Sequence, residues 1–142
     1  MSRLVLDASV LVKWILQDDE GEADTALALA LFKSFREGRV SLVQPVHWLV
    51  EVSAVCVRLK PNIATRVATF LYAMEIPVQN SHDVYRQACR LAIELNHHMF
   101  DTLYHAVALT QRDVTLVTAD RRYYQKARKH GAIALLADFP VP

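Results

Sequence analysis

The chain has 142 residues, of which 53% are hydrophobic and 22% are charged, and its formal net charge is +1. This apolar content is enough for a buried core and excludes a chain that is disordered throughout, while two cysteines are too few for a disulfide scaffold. The near-neutral charge neither indicates nor excludes a nucleic-acid partner, because a local basic face can coexist with a balanced total.

Short β-branched runs alternate along the chain with longer segments of helical periodicity. Gly38 is predicted to end the second helix, Pro61 to open the fourth and Ser81 to cap the fifth, and an acidic loop is predicted at residues 18–22. In chain order we predict a strand at residues 4–6, helices at 10–16 (with Ser9 as N-cap) and 22–37, a strand at 40–43, helices at 46–59 and 61–75, a strand at 76–78, a helix whose apolar stripe spans 84–95, a helix at 101–111, a strand at 114–117, a helix at 121–130 and a strand at 133–136.

This alternation is typical of an α/β protein in which helices flank a parallel sheet. With the predicted strands numbered along the chain, we expect about five strands in the order 3-2-1-4-5, within a single domain of residues 1–142. Asp7 and Asp120 follow strands one and four, which are neighbours where this order reverses. Ligands of such sheets bind beyond the carboxyl ends of the strands at that point, so we expect both carboxylates to face one crevice.

Two further acids, Asp101 and Glu51, accompany Asp7 and Asp120. Taken alone, each of the three aspartates has an ordinary explanation, because an aspartate beside a helix start or a turn hydrogen-bonds the backbone there. Glu51 is harder to explain in this way, since it lies within an apolar helical run at residues 48–55. A buried carboxylate needs a positive partner, and the two candidates are Arg58 and a bound cation.

Four carboxylates in one crevice repel each other unless a cation neutralises them. Mg²⁺ and Mn²⁺ prefer oxygen ligands, and sites of this kind hydrolyse phosphodiesters. The chain has no CxxC or HExxH pattern for zinc, no glycine-rich phosphate loop and no G-x-S-x-G turn. We expect His97 and His98 in a solvated turn, and Ser9 and Thr118 are candidates for orienting water or an acid beside the carboxylates.

Four segments of the chain resemble PIN-domain proteins, and the VapC-type toxins in particular. They are LVLDASVLVKW at residues 4–14, the apolar helix around Glu51, FDTLYHAVA at residues 100–108 and LVTAD at residues 116–120. The segments follow the order of the family and together span most of the chain.

The resemblance implies a three-layer α/β/α fold and a Mg²⁺- or Mn²⁺-dependent endoribonuclease that is the toxin of a type II toxin–antitoxin pair. It also implies an RNA substrate, a small VapB-type antitoxin as partner, and a homodimer. In this family pattern the catalytic residues and metal ligands are Asp7, Glu51, Asp101 and Asp120, with Ser9 and Thr118 in support.

One position departs from the family pattern. Many relatives carry an acid or another polar residue two places after the final aspartate, where this chain has Arg122, and this weakens the case for a second metal ion. Arg122 belongs to a basic run at residues 121–130 that also contains two tyrosines, a combination that suits RNA. Candidate RNA contacts are therefore Arg121, Arg122, Lys126 and Lys129, with a solvated helix face as the alternative.

Two other functions remain compatible with parts of the sequence. A catalytically inactive PIN fold would only bind RNA or protein. A receiver-type signalling domain also places acids at strand ends, although it normally has adjacent acids after the first strand and a lysine after the last, which this chain lacks. The chain shows no signal-peptide pattern and no apolar stretch of about 18 residues, so we expect a cytoplasmic protein that does not enter a membrane.

Overall fold

A computed structural model describes residues 2–17 and 24–142 of the chain. The predicted acidic loop at residues 18–22 and the predicted start of the second helix at residue 22 lie outside this described part. The strands are β1 (Ser2–Leu6), β2 (Val40–Leu42), β3 (Val114–Thr118) and β4 (Ile133–Leu135). The helices are α1 (Ala8–Ile15), α2 (Thr25–Arg36), α3 (Trp48–Leu59), α4 (Ala64–Ala73), α5 (His82–Leu95), α6 (Met99–Leu109) and α7 (Arg121–Ala127), with 3₁₀ turns at Arg128–His130 and Leu136–Asp138.

The strands form one parallel sheet in the order β2-β1-β3-β4, with helices on both faces, so the predicted three-layer α/β/α fold is confirmed. The predicted strand at residues 76–78 is wrong: only a single parallel bridge joins Val78 to Gln44. Pro77 lies inside this segment and has no N–H to donate, so it contributes only its carbonyl, which accepts from Gln44 N at 2.9 Å. The other four predicted strands have the expected neighbours.

The two central strands, β1 and β3, form the middle of the core. Val5, Leu116 and Val117 are fully buried, as expected for a strand that helices cover on both faces. Helix α6 packs against both central strands, and α1 packs against α2 and α3. No helix in the described part of the chain is long and apolar enough to cross a membrane.

A buried glutamine holds the carboxyl end of β1 in place. Strand β2 ends at Leu42, and beyond it the side chain of Gln44 takes over the pairing with β1. Its Oε1 accepts from Leu6 N at 2.8 Å and its Nε2 donates to Leu6 O at 2.8 Å. Because both backbone polar groups of Leu6 are paired in this way, the position of the next residue, Asp7, is well defined.

The helix ends follow local sequence signals in some places and tertiary contacts in others. Gly38 ends α2 as predicted: it has φ +74°, and Arg39 N donates to Ser34 O at 2.9 Å, which is a Schellman motif. The predicted N-cap Ser9 is wrong, because α1 begins two residues earlier and Asp7 caps it. Pro61 also does not open α4, since a turn follows it and the helix begins at Ala64.

Candidate metal centre

Asp7 lies at the carboxyl end of β1, and two hydroxyl groups surround its carboxylate. Oδ1 accepts from Ser9 N at 3.0 Å and from the Ser9 hydroxyl, and Oδ2 accepts from Thr118 Oγ1 at 2.5 Å. Each hydroxyl also accepts a backbone N–H, Ser9 from Ala119 and Thr118 from Asp120, both at 3.0 Å. The two hydroxyls therefore hold Asp7 against the β3–α7 junction.

Three of the predicted acids influence one another electrostatically. Removal from water is the largest cause that raises the pKa of Asp7, to about 6. Hydrogen bonds from Ser9 and Thr118 oppose this rise, and the negative charges of Asp101 and Asp120 add to it. The negative charges of Asp101 and Asp120 thus reach Asp7 and disfavour its ionised form.

The raised pKa of Asp7 makes the stability of the metal-free protein depend on pH. The folded chain holds the Asp7 proton more tightly than the unfolded chain, whose ordinary pKa is 3.8. The contribution of Asp7 to the free energy of unfolding is therefore most favourable below that value and decreases as pH rises towards 6. In chelator, we expect Asp7→Asn to raise the free energy of unfolding at pH 7.5 by about 1–2 kcal/mol, and to raise it less near pH 4.5.

Urea unfolding of the wild type and Asp7→Asn at both pH values measures this difference. The expected gain is smaller than the pKa shift alone would give, because an amide cannot accept on both sides as the carboxylate does. A difference between the two proteins that stays constant with pH would contradict the raised pKa.

Asp120 caps a helix and also lies beside two of the other predicted acids. It is the N-cap of α7, and its Oδ1 accepts from Tyr123 N at 3.0 Å, so the capping explanation is correct. The same residue also stands beside Asp7 and Asp101 at the carboxyl end of β3. The cap occupies only one carboxylate oxygen, and no donor in residues 2–17 or 24–142 reaches Oδ2.

Asp101 lies in the first turn of α6 but does not cap it, because the N-cap position is His98. Its Oδ2 is 2.7 Å from Nε2 of His97. The expectation of a solvated turn is therefore wrong for His97, whose side chain is only 11% exposed, and correct for the exposed His98. The cause is Asn96, which ends α5 in the left-handed region at φ +48° and turns the chain back towards the site.

One ligand atom from each of His97, Asp101 and Asp120 lies within 4.8 Å of the other two. We did not predict His97 as part of the site. The only sequence signal for it is the His97–Asp101 spacing of four residues, which has no meaning until the chain reversal at Asn96 is known.

Glu51 stands at the edge of this group. Its Oε1 accepts from the Tyr104 hydroxyl at 3.3 Å, and its Oε2 is 3.4 Å from Nε2 of His47. Burial, followed by the charges of Glu51, Asp7 and Asp101, raises the pKa of Tyr104 above its usual range, so its phenol stays protonated and can donate. The partner that the sequence proposed, Arg58, instead lines a depression between α1 and α3.

The donors present fit a hard divalent cation. They are carboxylate oxygens from three separate elements, and the described hydrogen bonds leave one oxygen of Asp101 and one of Asp120 unused. Mg²⁺ and Mn²⁺ take ligands of this kind, whereas a structural zinc site would use cysteine and histidine. The arrangement can therefore hold a cation at the carboxyl ends of β1 and β3.

The predicted RNA contacts separate into two groups. Arg122 and Lys126 line a depression next to the carboxylates, together with Asn96, His97 and His98. Arg121 and Lys129 are exposed and do not line it. Lys126 is itself partly buried, and its Nζ lies 3.2 Å from Nδ1 of His97 and 3.4 Å from the Asn96 carbonyl.

Comparison with known proteins identifies a family for this chain. A family model described as PIN domain matches residues 4–129 of the chain. No curated protein sequence matches the chain.

Proposed function

The chain belongs to the PIN domain family, whose members are generally nucleases, and we propose that it is a Mg²⁺- or Mn²⁺-dependent endoribonuclease. The observation that carries the proposal is that Asp101 and Asp120 have ligand atoms within 4.8 Å of each other, each with an unused oxygen, and that their charges act on Asp7 at the carboxyl end of β1. Because the chain belongs to the PIN domain family, it is not a receiver-type signalling domain.

In this proposal Asp7, Asp101 and Asp120 hold the cation, with Glu51 at the edge of the site. A bound divalent cation supplies Lewis-acid chemistry, acidifying water and stabilising charge on the phosphodiester. Ser9 and Thr118 keep Asp7 oriented by donating to both of its oxygens. The Tyr123 N–H and the Tyr104 hydroxyl orient Asp120 and Glu51 in the same manner.

The test is a cleavage assay on the purified chain. With Mn²⁺ or Mg²⁺ we expect internal cleavage of an end-labelled RNA, with both fragments recovered, and little cleavage of the DNA of the same sequence. Trimming from one end only, or equal cleavage of RNA and DNA, would contradict an endoribonuclease.

We extend the proposal to a VapC-type toxin that a small VapB-type antitoxin inhibits and that forms a homodimer. Large apolar side chains stay exposed on α3 and α4, among them Val50, Val57 and Tyr72, which supports a protein partner at this face. The apolar side chains of Val12 on α1 and Leu59 on α3 line the depression between these two helices. Trp14 of α1 and Trp48 of α3 are buried in the core and do not line this depression.

The antitoxin proposal predicts a growth phenotype. Expressed alone in bacteria, the wild type should arrest growth, and co-expression of a small protein encoded beside it should relieve the arrest. An arginine of that partner can pair bidentately with the carboxylates and exclude the cation, while apolar residues beside it cover the α1–α3 depression. Growth that is unaffected by the lone protein, or a complex that keeps full ribonuclease activity, would contradict this regulation but not the nuclease.

The depression beside the carboxylates predicts one phosphate contact that salt titration can detect. If Arg122 binds an RNA phosphate, Arg122→Gln should reduce the slope of log affinity against log salt by about 0.7, because one fewer counterion is released. Arg36→Gln, on the distant helix α2, is the matched control and should leave the slope unchanged. An unchanged slope in Arg122→Gln would identify this arginine as part of a solvated helix face.

A further inference from the structure

Three side chains form a continuous line of contacts that leads from α7 to Asp101. Lys126 Nζ lies 3.2 Å from His97 Nδ1, and His97 Nε2 lies 2.7 Å from Asp101 Oδ2. The three residues come from α7, from the turn before α6 and from the first turn of α6. The line ends on a carboxylate that we propose as a metal ligand.

Hydrogen-bond chemistry determines which ring nitrogen of His97 carries the proton. A lysine ammonium has three donors and no acceptor, so the nitrogen that faces it, Nδ1, accepts. In a neutral imidazole the other nitrogen, Nε2, then carries the proton and donates to Asp101. Both nitrogens are occupied in this arrangement, so His97 has no lone pair left for a cation.

The ring of His97 is also held from the side. Its centroid lies 4.9 Å from that of Tyr123, with the two rings in an edge-on arrangement. The Tyr123 hydroxyl is 2.9 Å from Nδ1 of His105, and Nε2 of His105 is 2.8 Å from the Gly131 carbonyl. A carbonyl only accepts, so His105 donates from Nε2 and its Nδ1 accepts from Tyr123, which fixes the ring against which His97 packs.

We propose that His97 is a positioning residue that orients Asp101 for a cation, and that Lys126 holds the opposite edge of the ring by donating to Nδ1. The inference rests on the proposed metal site. His97 occupies Oδ2 of Asp101 and leaves Oδ1 for the metal, in the manner of the outer hydrogen bonds that orient metal ligands in other proteins. Lys126 then belongs to the support of the site and is not an RNA phosphate contact.

The first measurement is of the tautomer and needs neither metal nor RNA. In the ¹⁵N-labelled, metal-free wild type at alkaline pH, long-range ¹H–¹⁵N correlation should show the proton of the neutral His97 ring on Nε2. In Lys126→Met, which keeps the aliphatic stem and removes the ammonium, the proton should stay on Nε2 beside Asp101, but the Nδ1 signal should shift because that nitrogen loses its hydrogen-bond donor. Protonation at Nδ1 in the wild type, or an unchanged signal in Lys126→Met, would overturn the proposal.

The second measurement is Mn²⁺ affinity in the absence of RNA, followed by electron paramagnetic resonance. His97→Leu and Lys126→Met should each weaken Mn²⁺ binding. For His97→Leu we expect the Mn²⁺ affinity to fall about 10–100-fold, which is the usual loss when an outer hydrogen bond to a metal ligand is removed. His97→Gln should recover most of the affinity, because its amide donates to Asp101 and accepts from Lys126. Lys33→Met, whose lysine on α2 is 73% exposed, is the matched control and should bind Mn²⁺ as the wild type does.

Circular dichroism of each variant separates a lost fold from a lost contact, and Lys126→Met carries the test if His97→Leu does not fold. Wild-type affinity in both His97→Leu and Lys126→Met would overturn the positioning role. A wild type that binds no Mn²⁺ and cleaves no RNA would overturn the proposed function instead. The tautomer measurement on that same protein would still decide whether Lys126 and His97 form the line of contacts.

Discussion

Asp101→Asn is expected to reduce RNA cleavage by about 10³-fold, equivalent to about 4 kcal/mol of transition-state stabilisation, while the protein stays folded. The amide has the shape of the carboxylate, and its oxygen still accepts from His97. It has no negative charge with which to bind a divalent cation. Asp7→Asn should have a comparable effect on cleavage, because Asp7 stands in the same electrostatic group.

Asp83→Asn is the matched control for this substitution. Asp83 is an exposed aspartate on α5 that pairs with Arg86 at 3.3 Å, far along the chain from the strand ends. Its variant should cleave RNA at the wild-type rate, because an exposed ion pair contributes little. Single-turnover cleavage, with unfolding curves for all three variants, measures the effect. An Asp101→Asn or Asp7→Asn protein that is folded and as active as the wild type would exclude that acid from the site.

Removal of divalent metal is expected to reduce cleavage to the background rate. EDTA should stop the reaction, and Mg²⁺ or Mn²⁺ added in excess should restore it, because carboxylate sites select hard cations. The physical reason lies in the charges: Asp7, Asp101 and Asp120 lie close together, and their mutual repulsion would keep phosphate away unless a cation neutralises them.

The RNA ends distinguish this reaction from cleavage that needs no metal. Attack by water leaves a simple phosphate on one fragment, whereas attack by the neighbouring 2′-hydroxyl of the RNA leaves a 2′,3′-cyclic phosphate. We expect no cyclic phosphate among the products. Cleavage that persists after dialysis against EDTA and yields cyclic phosphate would mean that the carboxylates act without a metal.

Two of the candidate site residues could be located from their positions in the sequence. Asp7 and Asp120 each follow an apolar run, and the parallel order of the strands brings both runs to one edge of the sheet. Asp120 caps α7 and also faces the crevice, so the two explanations that the sequence offered for it do not exclude each other. For Asp101 the capping explanation failed, because α6 begins two residues before it.

Two features that the sequence did not predict have different causes. Glu51 was expected to need a positive partner, but its described neighbours are a phenol 53 positions away and a histidine. Residues 76–78 have the composition of a strand, yet they form only one bridge, because Pro77 cannot donate to the sheet. The neighbours of Glu51 cannot be read from local periodicity, whereas Pro77 is a local signal against the predicted strand.

By itself, the sequence determined the parallel α/β architecture, the neighbouring positions of β1 and β3 and the edge at which Asp7 and Asp120 meet. These features follow from apolar periodicity and from the regular geometry of parallel sheets, which are local and repetitive. Only the tertiary structure decided that His97 turns back onto Asp101 and that Lys126 reaches it. Those contacts depend on one left-handed residue, Asn96, and on the packing of α7 against the turn before α6, and both are set by the whole fold rather than by neighbouring residues in the chain.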